Sequence, residues 1–217
     1  MLARSTYGGV YSEHKGSFVS IAIVDYGAGN LTSVKKAFDW LGQAATVTSD
    51  ADAVHRAERV IVPGVGHFAA TATIDRNGLR KAIESAIQRG TPVLGICLGM
   101  QWMFASSAEA SGLKGLGIFS GECEHFPATV KSPHVGWNRL HWGRESKLFA
   151  NVDEEPFVYF THSYRAPIDK YTVASCEYGG EFSAAVERDN VFGVQFHPEK
   201  SGTAGIKLLE AFCNLPC

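Results

Sequence analysis

Cys97 stands between an apolar run, Thr91-Pro92-Val93-Leu94-Gly95-Ile96, and a segment with helical apolar spacing that reaches Phe104. Gly95 and Gly99 flank it. Gly-x-Cys-x-Gly at a strand-to-helix corner is the cysteine version of a nucleophile elbow. Small neighbours let the chain turn sharply and let a substrate approach. The side chain is pushed to the sheet edge, and the helix that follows turns its free N–H groups toward the sulfur. A thiol with an ordinary pKa of about 8.5 is mostly protonated at neutral pH, and a helix N-terminus or a cationic neighbour lowers that value. A buried free cysteine in a glycine-rich turn is the plainer reading of the same residues. Cys123, Cys176, Cys213 and Cys217 have no such context and read as packing or surface residues.

A nucleophilic thiol needs a base, and the base needs a group to orient it. Gln195-Phe196-His197-Pro198-Glu199 follows a strand-like run near the C-terminus. In extended chain, residues two apart share a side, which places His197 beside Glu199. Pro198 fixes its own φ and holds its predecessor extended. Histidine titrates near neutrality and moves protons in both directions. A strand-end histidine and a solvated glutamate is the plainer alternative. Together with Cys97 the pair completes a set in the chain order nucleophile, base, orienter.

Pro63-Gly64-Val65-Gly66 follows another strand-like run and can present backbone N–H groups to a developing oxyanion. Gly27-Ala28-Gly29 resembles the start of a dinucleotide fingerprint, but Thr32 stands where the third glycine belongs. No phosphate-binding Gly-x-x-x-x-Gly-Lys sequence and no His-Glu-x-x-His occurs, so neither a nucleotide nor a metal cofactor is expected.

Alternating elements must position these groups. Ser20 to Asp25 reads as a buried strand. Leu31, Val34, Phe38 and Leu41 recur at helical spacing up to Gly42. Strands are expected at Ala45 to Thr48, Arg59 to Val62 and Thr91 to Ile96, with a helix through Leu79, Ile83 and Ile87 closed by Gly90. Strand-helix alternation implies right-handed βαβ units and a parallel sheet covered on both faces. In such a sheet Cys97 and Gly64 both project from the C-terminal edge, where ligands bind. After about Gly115 short strand-like runs follow one another: Tyr159 to His162, Tyr171 to Ser175, Ala184 to Glu187 and Val191 to Phe196. Arg188-Asp189-Asn190 reads as a hairpin turn. Gly205 to Leu215 closes as an amphipathic helix with Ile206, Leu209 and Phe212 on one stripe.

The 217 residues are 45% hydrophobic and 19% charged, which excludes disorder and fits one domain with a substantial core. Net charge is −2 with no basic run, so neither nucleic acid nor an anionic membrane is an expected partner. No apolar stretch approaches a membrane span. An odd number of cysteines without a CxxC pair, and an N-terminus without the apolar core of a secretory signal, point to a reducing cytoplasm. Residues 1–18 are polar and glycine-rich without period and read as an extension; 19–217 form the domain.

The chain resembles a class I glutamine amidotransferase domain over residues 20–217. More narrowly, it is similar to the glutaminase subunits of imidazole glycerol phosphate synthases. The resemblance rests on Asp25-Tyr26-Gly27-Ala28-Gly29-Asn30-Leu31, Pro63-Gly64-Val65-Gly66, Gly95-Ile96-Cys97-Leu98-Gly99-Met100-Gln101, Pro133-His134-Val135-Gly136-Trp137-Asn138, Tyr159-Phe160-Thr161-His162-Ser163-Tyr164 and His197-Pro198-Glu199-Lys200-Ser201. Gly202 stands where a second serine is common. The resemblance implies an α/β, flavodoxin-like fold: a mostly parallel central sheet flanked by helices, with antiparallel strands added in the C-terminal half. It implies a catalytic triad of Cys97, His197 and Glu199, and an oxyanion hole at Gly64, Val65 and Leu98. It further implies a glutamine site with Gln101, Glu109, Ser163 and Tyr164, and no cofactor. Asn30, Trp137, Asn138, Tyr159 and Lys200 would lie toward a partner, a cyclase subunit with a (β/α)8 barrel. A glutamine-binding module without chemistry, a γ-glutamyl hydrolase and a cysteine peptidase remain the alternatives.

Overall fold

The computed structural model describes residues 20–152 and 155–216. The expected extension at residues 1–18 and Cys217 lie outside them. The chain opens with β1 (Ile21–Val24), α1 (Leu31–Trp40), β2 (Ala45–Thr48), α2 (Ala51–Arg56) and β3 (Arg59–Val62). It continues through α3 (Ala72–Arg76), α4 (Leu79–Gln88), β4 (Val93–Ile96) and α5 (Leu98–Met103). The second half carries β5 (Ser106–Ser107), β6 (Glu122–His125), β7 (His134–Arg139), β8 (His141–Trp142), β9 (Phe157–His162), β10 (Tyr164–Arg165), β11 (Thr172–Glu177), β12 (Glu181–Arg188) and β13 (Val191–Val194). It closes on α6 (Gly202–Cys213).

Eight strands form the central sheet in the order β2-β1-β3-β4-β13-β12-β11-β8. The first five are parallel, and β12, β11 and β8 extend the sheet antiparallel. The expected mixed sheet is thus present. β1, β3, β4 and β13 are buried at every residue, which is why they read as continuous β-branched runs without alternation. Their side chains divide by period two between two apolar layers. One holds Ile23, Ile61, Leu94 and Phe192 under α1 and α6; the other holds Val24, Val60 and Val93 against Ile83 of α4 and Trp102 of α5.

The helices follow local rules. Asn30 caps α1 by accepting the Ser33 N–H at 3.3 Å, and Val34, Ala37 and Phe38 form its buried face. Leu41, expected on that stripe, caps the helix end instead. In α6 the buried stripe is Leu208, Leu209 and Phe212, while Ile206 is only half-buried. Gly205 takes the inner place because a Cβ there would meet the Pro198 carbonyl oxygen at 2.0 Å. α6 therefore rests directly on the turn that carries Glu199. The strand expected to run to Phe196 ends at Val194, and the hairpin before it turns at Asp189, whose φ is 56°. α2, α3 and β7 carry no strong period and lie outside the expected elements, whereas the strand expected from Tyr159 is present as β9, begins at Phe157 and pairs antiparallel with β7.

Candidate active site

β4 pairs with β13 in a register that sets Ile96 opposite Val194, and the Cys97 N–H donates to the Val194 carbonyl at 2.8 Å. Cys97 and the Gln195–Glu199 segment thus leave the sheet side by side at its C-terminal edge. Cys97 has φ 53°, a left-handed conformation that a non-glycine residue adopts at a cost and that turns its side chain sharply out of the strand. Gly99 permits the corner: a Cβ there would lie 1.7 Å from the Val62 carbonyl oxygen of β3. α5 has only six residues, so its dipole is a weaker influence on the sulfur than the expected helix would be.

His197 Nδ1 and Glu199 Oε1 lie 2.8 Å apart, with the two side chains 2% and 1% exposed. The pairing does not arise from period-two extended chain. His197 is extended, but Pro198 opens a 3-10 turn, Pro198–Lys200, and that turn brings the carboxylate back to the ring. Ser201 holds the turn, donating from Oγ to the His197 carbonyl at 2.7 Å and accepting the Tyr159 N–H at 3.0 Å. Burial disfavours a charged His197, but the neighbouring Cys97 sulfur and the Glu199 carboxylate outweigh it and hold the ring up to about 10. The ring's Nε2 is buried and makes no well-formed hydrogen bond, an open position on the side away from Glu199.

A cavity of about 240 Å³ opens beside the sulfur, lined by Cys97, Leu98, Gln101, Glu109, Ser163 and Tyr164, with Gly66, Pro133, Thr161 and His162 completing it. All four residues expected to hold glutamine therefore face one space with the thiol. Glu109 accepts the Phe68 N–H at 2.7 Å, which fixes its carboxylate at the rim. Of the expected oxyanion donors, Leu98 lines the cavity, but its N–H donates to the Gly64 carbonyl at 3.3 Å. Val65 is exposed beside it.

Among the residues expected toward a partner, Trp137, Tyr159 and Lys200 form one cluster. Trp137 is 56% exposed; its ring meets Tyr159 edge-on at 6.2 Å, and the Lys200 ammonium lies 5.7 Å from the Tyr159 ring centre. Asn30 caps α1 from an exposed position. Asn138 differs. Strand alternation turns it away from Trp137, and its amide donates to the Glu177 carbonyl at 3.1 Å.

Three groups at the site were not anticipated. Gln195 donates to the Cys97 sulfur at 3.5 Å. His162, in the cavity wall, and His134 form a buried pair, Nε2 to Nδ1 at 3.2 Å. Burial pushes His134 down to about 4 and His162 down to about 3, so both rings are neutral. A lone polar residue in the apolar run Val191–Phe196 was the available signal for Gln195. Among the described residues no group of three or more His, Cys, Asp or Glu side chains is placed to hold a metal ion.

A thiol at a strained corner, a buried imidazole–carboxylate pair and an amino-acid-sized polar cavity define a thiol-dependent acyl-transfer site. The sequence model of the glutamine amidotransferase class-I family matches residues 22–214, and the chain belongs to that family. Within it, the chain is 46% identical to the imidazole glycerol phosphate synthase subunit HisH of Moorella thermoacetica, over 90% of this chain and 94% of that one. It is 44% identical to HisH of Chlorobaculum tepidum, over 89% and 99%. Among solved structures, that of PurLQS from Thermotoga maritima superposes with a TM-score of 0.70 at 23% identity, over 90% of this chain and 98% of that one, a likeness of fold.

Proposed function

We propose that this chain is the glutaminase subunit of an imidazole glycerol phosphate synthase. It hydrolyses glutamine to glutamate and ammonia and delivers the ammonia to a cyclase subunit. The observation that carries this reading is the convergence of Cys97, the buried His197–Glu199 pair and Gln101, Glu109, Ser163 and Tyr164 on one cavity.

The Cys97 thiolate attacks the side-chain amide carbon of glutamine. Charge gathers on the amide oxygen, where the N–H groups of Leu98 and of the Gly64–Val65 peptide would stabilise it once freed. As the C–N bond breaks, protonated His197 gives its Nε2 proton to the leaving nitrogen, and ammonia departs. The γ-glutamyl thioester remains on Cys97. His197, now neutral, takes a proton from water; hydroxide adds to the thioester carbon, the C–S bond breaks, and glutamate leaves with the thiolate restored. Glu199 holds the ring in the tautomer with hydrogen on Nδ1 and stabilises each imidazolium stage.

Ammonia is a nucleophile only when unprotonated, so it must reach its acceptor without mixing with bulk water. The described residues form one α/β domain around the thiol cavity, and in this reading the acceptor sits on a partner. The partner is a (β/α)8 cyclase that takes ammonia onto PRFAR and yields imidazole glycerol phosphate and AICAR. The exposed face of β7 and β9, with Val135, Trp137 and Phe157 beside Tyr159 and Lys200, suits a protein partner. No helix among the described residues is long and apolar enough to cross a membrane. Among the described residues the four cysteines are free and buried, which fits a reducing cytoplasm.

The test is a glutaminase and cyclase assay of the assembled pair with Cys97→Ala. Glutamine-dependent turnover should vanish while ammonia-dependent cyclase turnover persists. Retained glutaminase activity in that variant would remove Cys97 from its role.

A further inference from the structure

We infer that Gln195 is a further residue of the reaction centre, whose carboxamide N–H selects the thiolate form of Cys97. This rests on the reading of Cys97 as the nucleophile and adds to it a donor that the triad does not contain.

The direction of this hydrogen bond follows from its neighbours. The Tyr164 backbone carbonyl can only accept. It sits 2.8 Å from one terminal atom of the Gln101 side chain, which must therefore be the nitrogen. That same nitrogen lies 3.0 Å from Gln195, so the Gln195 atom facing it is the oxygen. The remaining Gln195 atom is then Nε2, and it points an N–H at the Cys97 sulfur 3.5 Å away. The same carbonyl also fixes His162: Nδ1 donates to Tyr164 at 2.8 Å, leaving Nε2 to accept from His134. Every amide and tautomer in the chain from His134 to the sulfur is thus set by one acceptor-only group.

Gln195 is fully buried beyond the end of β13, where its neighbours Val194 and Phe196 are apolar. Burying a primary amide is costly unless its groups are paired. Here the oxygen is satisfied by Gln101, and the sulfur is the partner of the nitrogen. An N–H donor stabilises a thiolate more than a thiol, because hydrogen bonds to an ionised acceptor are the stronger ones. Gln101 consequently acts twice: it lines the substrate cavity and it orients Gln195.

The experiment follows alkylation of Cys97 by iodoacetamide against pH, read by mass spectrometry of the Cys97 peptide, in the wild-type chain and in Gln195→Leu and Gln195→Met. Both variants keep the volume and remove the donor, and two are used because either alone can impair folding. The inflection in the alkylation rate should move up by about one pH unit, equivalent to about a tenfold loss of thiolate at a fixed lower pH. Gln195→Glu, which brings a carboxylate to the sulfur, should move it further. A folded Leu or Met variant with reduced kcat/KM but an unmoved inflection would overturn the inference and leave Gln195 a packing residue. A wild-type Cys97 that does not alkylate at all would instead count against its role as nucleophile.

Discussion

The Gly64 carbonyl accepts the Leu98 N–H at 3.3 Å, so the backbone donor we propose for an oxyanion at Cys97 is already occupied. Freeing it requires the Gly64–Val65 peptide to turn. An oxyanion donor accounts for about 10²–10³ in kcat where one has been removed. The isolated chain should therefore show little glutaminase activity, and adding the cyclase with its ligand should raise it by about that factor. Activity of the chain alone equal to that of the complex would mean that the Gly64 contact is no obstacle.

Glu199→Gln keeps an acceptor for His197 Nδ1 and removes the charge. His197 is held up to about 10 by Cys97 and Glu199, so its charged form contributes stability fully below about pH 6.5, and that contribution is lost as pH rises through about 10. In the variant the loss should be smaller and complete at lower pH, and kcat should fall by about 10²-fold or more. Denaturant midpoints between pH 7 and 10, with the pH profile of kcat, give the answer; profiles superposable on wild type would contradict it.

His134 and His162 work in the opposite sense. Burial lowers them to about 4 and about 3, whereas in the unfolded chain both titrate near 6.5. Unfolding takes up protons once the pH drops below about 6.5, so stability should decline from there toward pH 4, before most carboxylates titrate. His134→Gln should flatten the dependence of the urea midpoint between pH 6.5 and 5, whatever its effect on absolute stability. An unaltered slope would show that His134 already carries its proton in the folded protein.

Gly99→Ala should damage the whole molecule. Its Cβ would lie 1.7 Å from the Val62 carbonyl, a backbone atom in the centre of the sheet. Relief requires α5 to move off β3, which costs about 3 kcal/mol or prevents folding. Thermal or urea unfolding within about 0.5 kcal/mol of wild type would refute the close contact.

Most of the parallel half of the fold is legible because its inner strands are buried on both faces and α1 and α4 carry clear apolar stripes. β7 is not. Its side chains alternate between an exposed row and an inward row, so Trp137 and Asn138, adjacent in sequence, face opposite ways. The Cys97 corner was readable from its glycines, whereas the His197–Glu199 contact was expected for the wrong local reason, an extended chain in place of a 3-10 turn. Gln195 was missed because its one signal, a lone polar residue in an apolar run, does not tell what the side chain pairs with. The Gly64–Leu98 contact lies in the backbone, where side-chain types carry no information.

If Cys97 is the nucleophile that takes the γ-glutamyl group, an electrophilic glutamine analogue should trap it covalently. Incubation of the assembled pair with an electrophilic glutamine analogue such as 6-diazo-5-oxo-norleucine, followed by peptide mass spectrometry, should place one adduct on Cys97 and none on Cys123, Cys176 or Cys213. Excess glutamine should slow labelling, and His197→Asn should nearly abolish it. An adduct on another cysteine, or labelling of Cys97 indifferent to both glutamine and His197, would contradict the account.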